Sequence, residues 1–311
     1  MIFKLILLAA GFILLIKGAD WFVDGASDMA SRFGIPQLVI GLTIVAMGTS
    51  MPEAAVSIAA ALKNTSEIAV GNVVGSNILN ILLILGVTSV IAAVPVQKST
   101  LNYEIPFMIA ITVIMLFMCL SGGEVSFLEG IILWGLFISY LAYLYFLSVR
   151  KNKDKQQDIV KKNCSIWGCI AREAIGCILI IVGSNMAVEG ASGLAGIMGM
   201  SERLIGLTIV AFGTSLPELV TSVAAARKGN SAIAVGNIIG SNIFNILFII
   251  GSTALITPVK FDNGFTYDVI IAALSGELLW ILAAKNKKLG RISGIIMLSA
   301  YILYSVYLYA V

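Results

Sequence analysis

Apolar residues run along this chain in ten long stretches separated by short polar breaks. In the first half they lie near 3–31, 36–62, 67–93, 104–121 and 125–148. In the second half they lie near 166–197, 201–226, 232–256, 265–284 and 290–310. A helix crosses a bilayer with about 20 predominantly apolar residues, so each stretch predicts a spanning helix. The one long polar run, VRKNKDKQQDIVKKN at 149–163, divides the two sets and reads as a short mobile linker. The opening MIFKLILLAAGFILLI reads as a retained span rather than a signal peptide: it has no small-residue cleavage site and continues directly into repeated sequence.

The two sets are copies. Residues 41–86 align with 206–251 without a gap at an offset of 165. Roughly two-thirds of the positions in that window are identical, a level that marks an internal repeat. The offset extends back to GFILLIKGADWFVDGAS (11–27) and GCILIIVGSNMAVEGAS (176–192). Five spans per copy is an odd number, so the second copy enters the membrane from the opposite side. The expected fold is an all-α integral membrane protein of ten transmembrane helices, built as two inverted five-helix repeats with helices broken at the midplane. The repeats occupy 1–149 and 166–311, with a linker at 150–165.

Composition agrees with the pattern. Of 311 residues 59% are hydrophobic and 12% charged, with a mean hydropathy of +1.00. A soluble domain has about 45–50% and about 25%. The net charge of +3 gives no reason to expect nucleic acid. Histidine is absent, which removes histidine-based acid–base catalysis, Ser-His-Asp triads and most zinc enzymes. Cys119, Cys164, Cys169 and Cys177 form no CxxC pair and read as small hydrophobes or loop residues. Lysine and arginine set an orientation: fifteen fall in loops on the linker side and four (Lys4, Lys63, Arg203 and Lys260) on the other, with Lys17 inside the first span. Positive charge collects in the cytoplasm, so the linker is expected there, with both termini outside the plasma membrane.

Two stretches contradict a plain apolar helix. GTSMPE (48–53) and GTSLPE (213–218) place Gly, Pro and Glu inside the second and seventh spans. Proline removes the helical partner of the carbonyl four residues earlier, and freed carbonyls at membrane depth must be satisfied by something else. Thr49, Glu53 and Ser57 share a helix face, as do Asn72, Ser76 and Asn80 in the third span. Thr214, Glu218 and Ser222, then Asn237, Ser241 and Asn245, repeat both faces. Gly71 with Gly75, and Gly236 with Gly240, predict close helix approach. The sum is an oxygen-rich set with two carboxylates and no thiolate or imidazole, suited to hard cations such as Ca²⁺. Taken singly, hydroxyls bond back along the helix and amides join helices. An uncompensated carboxylate at the bilayer centre costs at least ~2.5 kcal/mol, so two in equivalent places argue for a cation partner. Asp20, Asp24 and Glu189 are placed near the interface, Lys17 is paired with Asp20 or Asp24, and Glu277 has no evident role. Trp21, Trp134, Trp280 and Tyr301 read as interface anchors or packing.

With GNVVGSNILNIL (71–82) and GNIIGSNIFNIL (236–247), these motifs resemble the two repeats of the cation/calcium exchanger superfamily, specifically prokaryotic sodium/calcium antiporters. The resemblance implies a calcium site made by the Glu53 and Glu218 carboxylates with the carbonyls of Thr49 and Thr214. It implies sodium sites at the same glutamates with Ser50, Ser76, Ser215, Ser241 and the carbonyls of Ala46 and Ala211. It also implies that the long first and sixth spans slide across the rest. Some family members carry Asp where this chain has Asn80 and Asn245, which lowers the site's negative charge and leaves potassium coupling and stoichiometry open. The short linker leaves no room for a large cytoplasmic calcium-sensing domain.

The expected function is therefore Na⁺/Ca²⁺ antiport by alternating access, with Ca²⁺/H⁺ exchange as the alternative. A channel predicts flux without a counter-ion, and the chain has no filter such as TVGYG. An intramembrane enzyme lacks a nucleophile-and-base pair. No cofactor is expected. The partners are Ca²⁺, Na⁺ and the lipid bilayer, with no nucleic acid, and a monomer suffices for transport, the oligomeric state being left open.

Overall fold

The computed structural model describes residues 1–63, 65–154, 165–199, 211–261 and 263–310. Lys155, Lys161, Lys162 and Cys164 of the linker, and the start of the seventh stretch with Arg203, lie outside the described residues. The chain is helical almost throughout. Helix α1 is Ile2–Phe33, α2 Gln37–Thr49, α3 Met51–Leu62, α4 Ser66–Ile91, α5 Thr100–Gly122 and α6 Phe127–Asp154. Then come α7 Ile166–Ile197, α8 Ala211–Thr214, α9 Leu216–Arg227, α10 Ser231–Ile256, α11 Asn263–Asn286 and α12 Arg291–Ala310. Eight of these are long and apolar enough to cross alone, and α2 with α3 forms a ninth, bent by 50°. This is an integral membrane helical protein. Nine of the predicted spans match these helices to within a few residues, except that α6 runs on to Asp154; of the seventh, 201–226, only the part from Ala211 is described.

Burial sorts the helices into an inside and an outside. In α10, 94% of the span is buried, against 72% in α4 and only 11% in α12. The centre is therefore α4 and α10, with the bent helices against them. The outer helices turn large apolar side chains such as Phe117, Leu120, Ile302 and Leu303 outward, which is correct when the solvent is lipid. Tyrosine–carboxylate bonds tie outer helices in pairs: Tyr143 donates to Glu104 Oε1 at 2.6 Å between α6 and α5, and Tyr304 to Asp268 Oδ1 at 3.1 Å between α12 and α11. Trp134 Nε1 donates to Ser252 Oγ and Trp280 Nε1 to the Leu101 carbonyl, so both tryptophans join helices.

Two short ribbons join loops. Strand β1 (Val94–Pro95) pairs antiparallel with β4 (Lys288–Leu289), and β2 (Glu124–Val125) with β3 (Val259–Lys260). Each ribbon fixes two loops on one face of the molecule.

Helices α1 and α7 form a long antiparallel pair held by glycines. Gly11, Gly18 and Gly25 recur every seventh residue, as do Gly176, Gly183 and Gly190. A Cβ at Gly18 would lie 2.8 Å from the Ile180 nitrogen, and one at Gly176 2.6 Å from the Phe22 nitrogen. Backbone packed on backbone makes the pair a stiff unit. Arg172 on α7 adds an ion pair to Asp28 on α1 at 3.0 Å, and Lys4 one to Glu189 at 2.9 Å.

The expected close approach at Gly236 and Gly240 is present. Added Cβ atoms there would meet Gly41, the Leu38 and Leu42 carbonyls and Ala46 of α2 at 2.7–3.0 Å. Gly71 and Gly75 differ: a Cβ at the first meets only the Phe265 ring, and at the second nothing among the described residues. The segment related to 41–46 by the offset is 206–211, of which only Ala211 is described.

Gly18→Leu or Gly183→Leu should prise α1 from α7 and cost about 1–3 kcal/mol or more, as overpacking a tight contact does. Gly135→Ala, where a Cβ meets open space, should be neutral or stabilising by up to about 1 kcal/mol. Thermal unfolding of the purified protein in detergent measures both.

Candidate functional site

The bend between α2 and α3 falls at Ser50, whose φ −85° and ψ 8° are not helical. Ser215 stands between α8 and α9 with φ −93° and ψ 6°. Pro52 and Pro217 then occupy the first turn of the new helix, where a missing N–H costs nothing. This gives the prolines a second role beyond freeing a carbonyl. Each break starts a helix whose first turn carries a glutamate, and a helix N-terminus favours negative charge. The carbonyls four residues before the prolines face α7: Ser184 Oγ donates to the Gly213 carbonyl at 2.7 Å, and Cys177 Sγ approaches that of Gly48 at 3.9 Å.

The two breaks meet at the centre of the molecule. Ser50 Oγ donates to Glu218 Oε1 at 2.8 Å, and Ser215 Oγ to Glu53 Oε1 at 3.2 Å. The serine of each break thus holds the glutamate of the other. Ser76 Oγ on α4 lies 3.3 Å from Ser215 Oγ, and Thr214 stands beside Glu53. Thr49 and Ser241 stand beside Glu218, and Ser241 Oγ donates to the Ala46 carbonyl at 3.4 Å. Glu53 and Glu218 are each 1% exposed. Among the described residues no Lys or Arg pairs with either. In each, Oε2 is buried without a hydrogen-bond partner.

The amides divide into two sets. Asn72 Nδ2 donates to Ser57 Oγ at 3.0 Å and to the Glu53 carbonyl at 3.1 Å, and Asn237 Nδ2 does the same to Ser222 Oγ and the Glu218 carbonyl. Thr49 Oγ1 donates to Asn237 Oδ1 at 3.0 Å. These asparagines therefore brace the broken helices. Asn80 and Asn245 each open a π-helical turn, Asn80–Ile84 and Asn245–Ile250, a distortion often found at functional positions. Asn80 Nδ2 donates to Asn242 Oδ1 at 2.9 Å, and Asn245 Nδ2 to Asn77 Oδ1 at 3.0 Å. Their nitrogens are engaged, while Asn80 Oδ1 and Asn245 Oδ1 are buried and without a partner.

Asn77 and Asn242 are absent from the sequence-based set. Each donates from Nδ2 to the other's carbonyl, at 3.3 and 3.1 Å, and so joins α4 to α10. Their signal was the third letter of the repeated GSN, one residue away from the i, i+4 series that picked out Ser76 and Asn80. The carbonyls of Thr49 and Thr214 directly precede the bends at Ser50 and Ser215. The backbone of Ala211 is described, but its side chain is not. The expected pairing with Lys17 is corrected: Asp20 and Asp24 pair with Lys228, because the turn after α9 reaches α1 from the side. Glu277 is exposed on the outer face of α11.

Asn77→Ala should remove its donation to the Asn242 carbonyl and the bond its Oδ1 accepts from Asn245, leaving both partners on α10 buried and unsatisfied. The expected loss is about 1–3 kcal/mol per group left unsatisfied, read as a lower unfolding temperature.

Comparison with known proteins places the chain in one family. The family model for sodium/calcium exchanger proteins matches residues 3–146 and 171–310. The putative antiporter CaxA of Alkalimonas amylolytica is 37% identical over 319 aligned residues, covering 100% of both chains. The sodium/calcium exchanger MaX1 of Methanosarcina acetivorans is 33% identical, covering 98% of each. A solved structure of the sodium-calcium exchanger NCX_Mj, soaked with Na⁺ and Ca²⁺, superposes with a TM-score of 0.86 at 33% identity over 98% of each chain.

Proposed function

This chain belongs to the sodium/calcium exchanger protein family, and from that premise we propose that it exchanges Na⁺ for Ca²⁺ at the centre where its broken helices meet. The observation that carries the proposal is four buried oxygens without a hydrogen-bond partner: Oε2 of Glu53 and Glu218, and Oδ1 of Asn80 and Asn245. A buried acceptor left unpartnered costs about 1–3 kcal/mol, and more when charged. Two of the four carry the charge that a divalent ion neutralises, and Asn80 and Asn245 lie one turn from Ser76 and Ser241, which reach the breaks. The ligand set is the two glutamates with Thr49, Thr214, Ser50, Ser215, Ser76, Ser241, Asn80, Asn245 and the carbonyls of Ala46 and Ala211. Ca²⁺ takes about 6–8 oxygens, a number this set supplies.

The layout of the proposal is ten spans in two inverted halves, 1–149 and 166–311, with a cytoplasmic linker and outside termini. The two ribbons support it. Loops joined by β2 and β3 share a face only if an even number of crossings separates them, and α6, α7, the seventh stretch and α10 make four. Offset-related α1 and α7 run antiparallel, as opposite entry demands. The serines and amides above also bond in offset-related pairs.

Competition supplies the mechanism. An empty pair of glutamates is costly in the low-dielectric interior, so the centre crosses the barrier only when loaded with Ca²⁺ or with Na⁺. The chemistry of the cargo then enforces exchange rather than leak. In vesicles, an outward Na⁺ gradient should drive labelled calcium uptake, and Glu53→Gln or Glu218→Gln should reduce it to background. Uptake driven by a pH gradient in the absence of Na⁺ would instead identify the proton as the counter-ion.

A further inference from the structure

One end of the α1–α7 pair is pinned, and at the other the described residues leave a cleft. Lys228, in the turn between α9 and α10, places Nζ 2.9 Å from Asp24 Oδ1 and 3.1 Å from Asp20 Oδ1. It also donates to the Asp20 carbonyl at 2.8 Å. An ammonium has three donors, and all three are directed at α1. At the opposite end lies a cleft of about 400 Å³ between the pair and the seventh span. It is lined by Leu8, Phe12, Ala187, Val188, Phe212 and Leu216.

The offset of 165 gives every member of the pin a counterpart at the cleft end. Lys228 corresponds to Lys63 in the turn after α3, Asp24 to Glu189, and Asp20 to Asn185. Lys63 is exposed, with no ion pair among the described residues. Glu189 is 63% exposed and held by Lys4, which belongs to the stiff pair itself. Lys4 corresponds to Cys169, so the Lys4 bond has no mirror image, whereas the Lys228 pin has a complete one.

Resting on the inverted-repeat reading above, we infer that Lys228–Asp20/Asp24 and Lys63–Asn185/Glu189 are two latches that close in turn. In the state described here the Lys228 latch holds one end of α1 against the turn after α9. When the α1–α7 pair moves to close the cleft, Lys63 takes Glu189 with Asn185, and Lys228 lets go. Each latch biases its state without locking it. Exposed ion pairs shift an equilibrium by about two- to five-fold, which leaves the switch reversible.

Cysteine pairs in a background without native cysteines test the alternation. Asp24→Cys with Lys228→Cys, and Lys63→Cys with Glu189→Cys, are treated with a short bifunctional thiol reagent. Each pair should link, and the protein carrying all four should form one link or the other but not both. Both links in one molecule, or no link at all between positions 63 and 189, overturns the inference. A second readout does not depend on the cysteine background: Lys63→Ala should slow exchange about two- to five-fold, but have no effect on top of Glu189→Gln, since paired residues are not additive. Independent, additive effects overturn it too. The links are read by gel mobility without ion flux, so a protein that fails to exchange Na⁺ for Ca²⁺ overturns the proposed function and leaves the latch to be judged on the gel.

Discussion

Two carboxylates that share a buried centre, with no basic side chain among the described residues to neutralise them, set the terms for everything around them. Glu53 and Glu218 are each 1% exposed, and each has one oxygen tied to a serine and one left over. Such a pair is tolerable only with help. The protein supplies it by breaking two helices so that each glutamate begins a new one, where backbone N–H groups and the helix dipole favour its charge. It crosses the serines, so that neither half can hold its glutamate without the other. It then braces the breaks with Asn72 and Asn237 and joins the central helices through Asn77 and Asn242. Oε2 of both glutamates and Oδ1 of Asn80 and Asn245, buried without a partner, are the oxygens a cation engages under the proposed function.

The same constraint explains the division into bodies. A rigid centre is needed to keep so many polar groups in register, and α4 and α10 are the most buried spans. Under the proposed function, access to that centre comes from elements that do not carry the glutamates. The α1–α7 pair meets this requirement. It is internally stiff through its glycines, and it covers the freed carbonyls of Gly48 and Gly213 through Cys177 and Ser184. Among the described residues its side-chain bonds to the rest are few: Cys177 and Ser184 near its middle, and Asp20, Asp24 and Ser27 toward one end.

Much of this was legible in the sequence because it is local or periodic. Spans follow from twenty-residue apolar runs, and the paired breaks from Pro52 and Pro217 within them. The central pairing of Glu53 with Glu218 followed from repetition, since equivalent positions in two halves meet near a symmetry axis. Bonds across large sequence separations were not legible. Nothing near Asp24 points to Lys228, which is 204 residues away, and Lys17, within two turns of both acids, was the natural but wrong partner. Asn77 was missed because its helix face differs from that of Ser76, so no i, i+4 series contains it. The seven-residue glycine spacing was present in the aligned segments, but its meaning depends on a partner helix that local pattern does not identify.

The central claim is that Ca²⁺ and Na⁺ compete for one centre built on Glu53 and Glu218. Equilibrium Ca²⁺ binding to the purified protein, titrated at increasing Na⁺ and constant ionic strength, tests it without reference to transport. The account predicts that Na⁺ raises the apparent Kd for Ca²⁺ without changing the number of sites, and that Glu53→Gln removes the binding. Ca²⁺ binding that is indifferent to Na⁺, or that survives loss of both glutamates, would contradict it.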